Sequence, residues 1–167
     1  MLAGKLGAAL IDKDVVSRAF AEAFVGTSDS TSADYDTRLR PAQYAALDAI
    51  AEDNLCAGVS AVIVAPYGGE RATKKWRAGR EKFASYCGAR LSVVFVTCQA
   101  EVVREHIQQR NEPHDQRVIQ HWDEYLATNR HSSPPAGEHF TVDNASGIDA
   151  LGESAVHIAA QIRRGKQ

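Results

Sequence analysis

Hydrophobic and polar positions alternate along the chain in two rhythms. Four short apolar runs read as strands: residues 8–12 (AALID), 59–65 (VSAVIVA), 91–96 (LSVVFV) and 139–142 (HFTV). The second and third are uncharged and rich in β-branched residues, the pattern of strands buried on both faces. Between them, apolar residues recur at helical spacing. Val15, Val16, Ala19, Phe20, Ala23 and Phe24 mark a helix over 15–25, which Asp14 is placed to cap. Tyr44, Leu47, Ile50, Ala51 and Leu55 mark another, from Pro41 to about Cys56. Trp76 and Phe83 mark a third over 74–86, with a basic outer face, and Val103 and Ile107 a fourth over 100–110. Asn111-Glu112-Pro113-His114 breaks it. Asp115 then caps a helix with Val118, Trp122, Tyr125 and Leu126 on one face. Ile148 to Ile162 is a final amphipathic helix, and Leu2–Leu6, stopped by Gly7, looks like the last turn of a first one.

Strands alternating with helices imply right-handed crossovers and a mainly parallel sheet, an α/β fold with helices on both faces in three layers. With 167 residues and no composition break, residues 1–167 read as a single domain. In such sheets ligands bind beyond the carboxyl ends of the strands. The first strand ends at Asp12-Lys13-Asp14, where two carboxylates flank a lysine that is expected to face solvent.

Composition narrows the function little. The apolar share of 44% and charged share of 24% are those of an ordinary globular protein. A net charge of −2 gives no support to a nucleic-acid partner. The weakly apolar N-terminus is too short for a membrane span or signal peptide, so no membrane partner and a cytoplasmic location are expected. Cys56, Cys87 and Cys98 lack the spacing of a disulfide framework or zinc site, and the six histidines show no metal-binding pattern.

At GAALIDKDVV, VIVAPYGGE, VVFVTCQAEVVREHIQQR and HDQRVIQHWDEYL the chain resembles the small P-loop kinases, most closely the AAA-type ATP-binding branch related to chloramphenicol phosphotransferase, gluconate kinase and zeta toxins. The resemblance spans about residues 3–145. It implies ATP and Mg²⁺ as cofactors and transfer of the γ-phosphate to a hydroxyl of a small-molecule acceptor. It implies that a strand-end carboxylate, Asp12 or Asp14, orients that hydroxyl and takes its proton. It also implies a lid over about residues 104–118, whose Arg104, Arg110 and Arg117 approach the phosphates, since the guanidinium is always charged and bidentate. By residue chemistry alone, Asp12 and Asp14 are equally a strand end and a helix cap, and the arginines equally surface residues.

Three departures stand out. The family's GxxxxGK[ST] phosphate loop, whose amides and lysine cradle the phosphates and whose hydroxyl holds Mg²⁺, does not occur in the sequence. The lid reads Pro113-His114-Asp115 where relatives often have Pro-Arg-Asp, and Ala65-Pro66 stands where many have an aspartate. The expectation is therefore a P-loop kinase-type sheet missing its first, central strand, in a chain that begins inside the helix after the loop and binds MgATP poorly. A buried strand edge left open costs roughly 1–3 kcal/mol per unpaired group. A homo-oligomer or a partner covering that edge is then expected, and a non-catalytic interaction module is the alternative function.

Overall fold

The computed structural model describes residues 1–17, 35–110, 115–128, 133–145 and 147–165. The chain forms two compact units, residues 3–66 with 87–89, and residues 67–86 and 90–167 with the first two residues.

In the first unit α1 (Leu2–Leu6) leads through Gly7, at φ +64°, into β1 (Ala9–Asp12). Residues 13–17 turn at once into a helix, α2. A π-helical turn (Tyr35–Leu39) runs into α3 (Arg40–Cys56), with Pro41 in its first turn as expected. β2 (Ala61–Val64) pairs in parallel with β1, so that Ile11 faces Ile63 and Asp12 faces Val64. Helix α3 packs on both strands. Its inner stripe is Gln43, Leu47 and Ala51 at i, i+4, i+8, with Leu47 fully buried; Ile11 of β1 is buried as well. The expected face is thus rotated: Ile50 is more than one-third exposed, and a glutamine takes the place the periodicity gave to Tyr44.

In the second unit a 3₁₀ turn (Gly68–Ala72) precedes α4 (Lys74–Tyr86). β3 (Val94–Thr97) pairs in parallel with β4 (Phe140–Asp143), Thr97 opposite Asp143. Between them run α5 (Ala100–Arg110), α6 (Asp115–Gln120) and α7 (Trp122–Thr128), and α8 (Gly147–Arg164) closes the unit. Val142 of β4 and Ala155, Ile158 and Ala159 of α8 are buried. Arg71 is also buried. Its Nε donates to the Ser133 carbonyl at 3.1 Å, its Nη1 to the Gly68 carbonyl at 2.7 Å, and its Cζ lies 5.3 Å from the Phe95 ring centroid.

All four expected strands form, and both pairs are parallel. The strands expected to be buried on both faces are not. No residue of β2 or β3 is buried, and Val64 and Val96 are 46% and 57% exposed. Each lies in a two-stranded sheet, paired along one side only among the described residues. The single helix expected after Asp115 is two short ones, parted at His121.

Candidate functional site

At the carboxyl end of β1 the backbone turns into α2 without a linker. Asp12 makes this possible. Its Oδ1 accepts the amide N–H of Asp14 at 2.9 Å and of Val15 at 3.3 Å, satisfying two of the donors a helix start leaves open. Asp12, not Asp14, is therefore the cap, because the helix begins two residues earlier than periodicity placed it. That shift also turns Val15 outward, to 78% exposure. The Asp14 carboxylate is left 76% exposed, its Oδ1 3.5 Å from Lys13 Nζ.

Lys13 does not face solvent. It is 8% exposed. Strand alternation sets its direction: Ile11 points inward, Lys13 follows at i+2, and Ser17 continues the buried face one helical turn on. The Ser17 hydroxyl donates to the Lys13 carbonyl at 2.6 Å. Two carboxylates and a buried ammonium thus share one strand-to-helix turn, with Asp14 the exposed member.

Arg104 and Arg110 lie in the second unit, both on α5. Arg110 makes a two-pronged ion pair with Asp115: Nε donates to Oδ2 at 2.8 Å and Nη2 to Oδ1 at 2.6 Å. Asp115 is 3% exposed, while the Arg110 side chain remains 55% exposed. The Arg104 guanidinium lies 5.7 Å from the Trp122 ring centroid. Trp122 in turn stacks on Tyr125, centroids 5.3 Å apart and planes 25° apart. The Tyr125 hydroxyl is pushed above its ordinary pKa by burial, drawn back by Arg110 and raised again by Asp115. Both arginines are held by one cluster of Asp115, Trp122 and Tyr125. Beside it lies a shallow, open depression of about 470 Å³ lined by Arg104, Gln120, His121, Trp122, Asp123 and Glu124. The side chain of Arg117 lies outside the described residues, as do Pro113 and His114.

Sequence reading thus placed Asp12 and Asp14 on one turn and Arg104 and Arg110 on one helix. It missed the holding residues. Asp115 was read as a cap and Trp122 and Tyr125 as a core face. The available signal was a carboxylate five positions after Arg110, across a stretch that interrupts the helical pattern of the sequence.

Comparison with known proteins settles the fold and the family. A family model described as an AAA domain matches residues 1–130. The chain belongs to this AAA domain family. A gluconokinase from Sinorhizobium meliloti 1021 superposes with a TM-score of 0.58 at 17% identity, over 98% of this chain and 83% of that one. A candidate kinase from Chloroflexus aurantiacus j-10-fl superposes with a TM-score of 0.60 at 17% identity, over 98% of this chain and 86% of that one. No curated protein matches the chain. The fold is the α/β fold of the P-loop kinases. Among the described residues, no helix is long and apolar enough to cross a membrane, and no group of three or more His, Cys, Asp or Glu is arranged to hold a metal ion.

Proposed function

We propose that the protein is an ATP-dependent phosphotransferase acting on a hydroxyl of a small molecule. The observation that carries this reading is the pair of arginines on α5 held in place by Asp115 and Trp122. In a P-loop kinase fold, fixed guanidinium groups beside the phosphates neutralise charge as the γ-phosphoryl group passes to the acceptor. Asp14 is the proton acceptor in this reading. Its carboxylate is exposed, whereas the Oδ1 of Asp12 is committed to two backbone amides. The acceptor oxygen forms its bond to the γ-phosphorus, ADP leaves, and Asp14 takes the hydroxyl proton. Lys13 fixes the turn from within.

The residues at hand fit phosphate charge but supply no GxxxxGK[ST] cradle, and Mg²⁺ finds no ligand set among the described residues. No step is therefore routed through the metal. A weak grip on ATP is expected, and the assay calls for high ATP. The protein is incubated with γ-labelled ATP, Mg²⁺ and a panel of sugar acids, polyols and amino alcohols. The expected result is a labelled small molecule, lost in Asp14→Asn and much reduced in Arg110→Ala. Label that moves to no member of the panel, together with no heat of MgATP binding in calorimetry, overturns the reading.

A second reading has its own observation. The edges of β2 and β3 are apolar and uncharged, with Val64 and Val96 largely exposed. Soluble proteins guard such edges with charge, proline or a covering chain. We propose, as the alternative, an interaction module whose sheet edges are covered by a second copy or another protein. Light scattering over a concentration series distinguishes the two. A dimer that dissociates in Val64→Lys or Val96→Lys supports the module, and a monomer at all concentrations removes the second-copy form of it.

A further inference from the structure

Two irregularities meet in one contact. Among the described residues, Tyr67 is the one residue other than glycine at positive φ, +51°, and Gly68 follows it at +48°. Among the same residues, the Nε1 of Trp76 is the one buried side-chain polar atom without a hydrogen-bond partner. The two rings lie edge-on with centroids 5.3 Å apart. We infer that the Tyr67–Gly68 turn is a two-state latch over Trp76. In the state described here Tyr67 is strained and the indole N–H is unpaired. In the other, Tyr67 returns to an extended conformation and a carbonyl of the turn accepts the indole N–H. The inference does not depend on the phosphotransfer reading.

Each irregularity is costly by itself. A tyrosine in the left-handed region crowds its Cβ against the following carbonyl, and such strain persists only where the surroundings compensate it. A buried N–H without an acceptor has given up water and gained nothing. The ring contact between the two residues is a small return for both. One movement of the turn relieves both costs, which is why their meeting points to a second state. Neighbouring contacts confine that movement. The Gly68 carbonyl accepts Arg71 Nη1 at 2.7 Å, and Arg71 is buried. The Thr73 hydroxyl donates to the Glu70 carbonyl at 2.7 Å and accepts the Trp76 amide at 3.2 Å. The start of α4, and with it the base of the indole, is thereby pinned, and the strain lies just upstream, at Tyr67. In the chain this turn comes directly after the carboxyl end of β2, the end at which parallel α/β sheets bind ligands. A ligand that prefers one state of the latch moves it by its difference in affinity for the two.

The test is ¹⁵N relaxation dispersion on the Trp76 indole N–H of the full chain, told apart from that of the other tryptophan, Trp122, by Trp76→Phe. Wild type should show microsecond-to-millisecond exchange with a second state whose indole proton lies downfield, as a hydrogen-bonded one does. Two substitutions should move the population of that state in opposite directions. Tyr67→Gly removes the strain of the described state and should lower it about fivefold. Gly68→Ala adds strain to the same state, keeps both rings, and should raise it by a similar factor. Far-UV circular dichroism should be unchanged in both. Absence of exchange in wild type overturns the inference. So does a population that fails to fall in Tyr67→Gly or to rise in Gly68→Ala, the result expected if a trapped water merely serves the indole. Should Gly68→Ala fail to fold, Tyr67→Asn takes its place. Asparagine tolerates the left-handed region, so the population must again fall, and a wild-type value overturns the inference.

Discussion

The amide of Asp14 donates to the Oδ1 of Asp12 at 2.9 Å, so two carboxylates two residues apart have unlike roles. One is a helix cap and the other is displayed. Asp12→Ala should therefore cost about 1 kcal/mol of stability, the usual value of a lost N-cap. Asp14→Ala should change stability by less than about 0.5 kcal/mol, as an exposed surface substitution does. Urea denaturation of the two variants checks this. Equal losses would remove the distinction, and with it the choice of Asp14 as proton acceptor.

Arg71 ties three separate stretches together. Its guanidinium reaches the Gly68 and Ser133 carbonyls and lies over Phe95, while its own carbonyl accepts the Ala136 amide at 2.8 Å. Arg71→Met keeps the aliphatic stem and deserts both carbonyls. It should destabilise by roughly 2–3 kcal/mol. Arg71→Lys should recover little, since a single ammonium cannot reproduce the fork. Thermal melts of both variants measure it, and a wild-type melting temperature in Arg71→Met contradicts the role given to this residue.

Trp76 presents the opposite case. Its ring lies edge-on to that of Tyr67 with centroids 5.3 Å apart, yet its buried Nε1–H has no acceptor among the described residues. Tyr67 itself sits at φ +51°, a conformation side chains rarely adopt. Replacing Trp76 by Phe removes the orphaned donor along with part of the apolar surface, and the two effects oppose. Trp76→Phe should thus lie within about 1 kcal/mol of wild type, whereas Trp76→Ala should lose roughly 2 kcal/mol or more. A large loss in the Phe variant would mean that the indole N–H has a partner after all.

Tyr125 should mark the Arg110–Asp115 cluster by its titration. Burial and then Asp115 raise its pKa, against the pull of Arg110. The folded chain thus keeps a proton that the unfolded chain releases at about pH 10. Its stabilising contribution is whole below that pH and is lost as pH climbs through the raised value. Arg110→Ala should push the Tyr125 pKa higher still, and Asp115→Asn should lower it. Phenolate absorbance against pH, with Tyr125→Phe as reference among the five tyrosines, reads both shifts. Shifts of the opposite sign would show that Tyr125 does not stand beside the Arg110–Asp115 pair.

Local chemistry made much of the architecture legible. Gly7, at positive φ, ends α1 where its position in the pattern says it should. Pro41 opens α3, and β-branched runs become the cores of β2 and β3. These features depend on backbone propensity and on period, which neighbouring residues carry with them. Their order was sufficient to assign a parallel α/β sheet, because right-handed crossovers leave few alternatives; the P-loop kinase type came from the resemblance of particular motifs.

What the sequence could not decide were directions and partners across the chain. The inner face of α3 is Gln43, Leu47 and Ala51 because β1 and β2 lie against it there, and periodicity alone allowed the neighbouring stripe. Lys13 is buried because the strand's alternation carries on into α2, although its charge argued for the surface. Arg110 meets Asp115, and Arg104 meets Trp122, only because α6 and α7 fold back on α5. An ion pair or a ring contact is a relation in space, with an energy set by burial and angle. Composition and spacing by themselves determined which residues were available here. The tertiary fold decided which of them hold each other and which are left exposed.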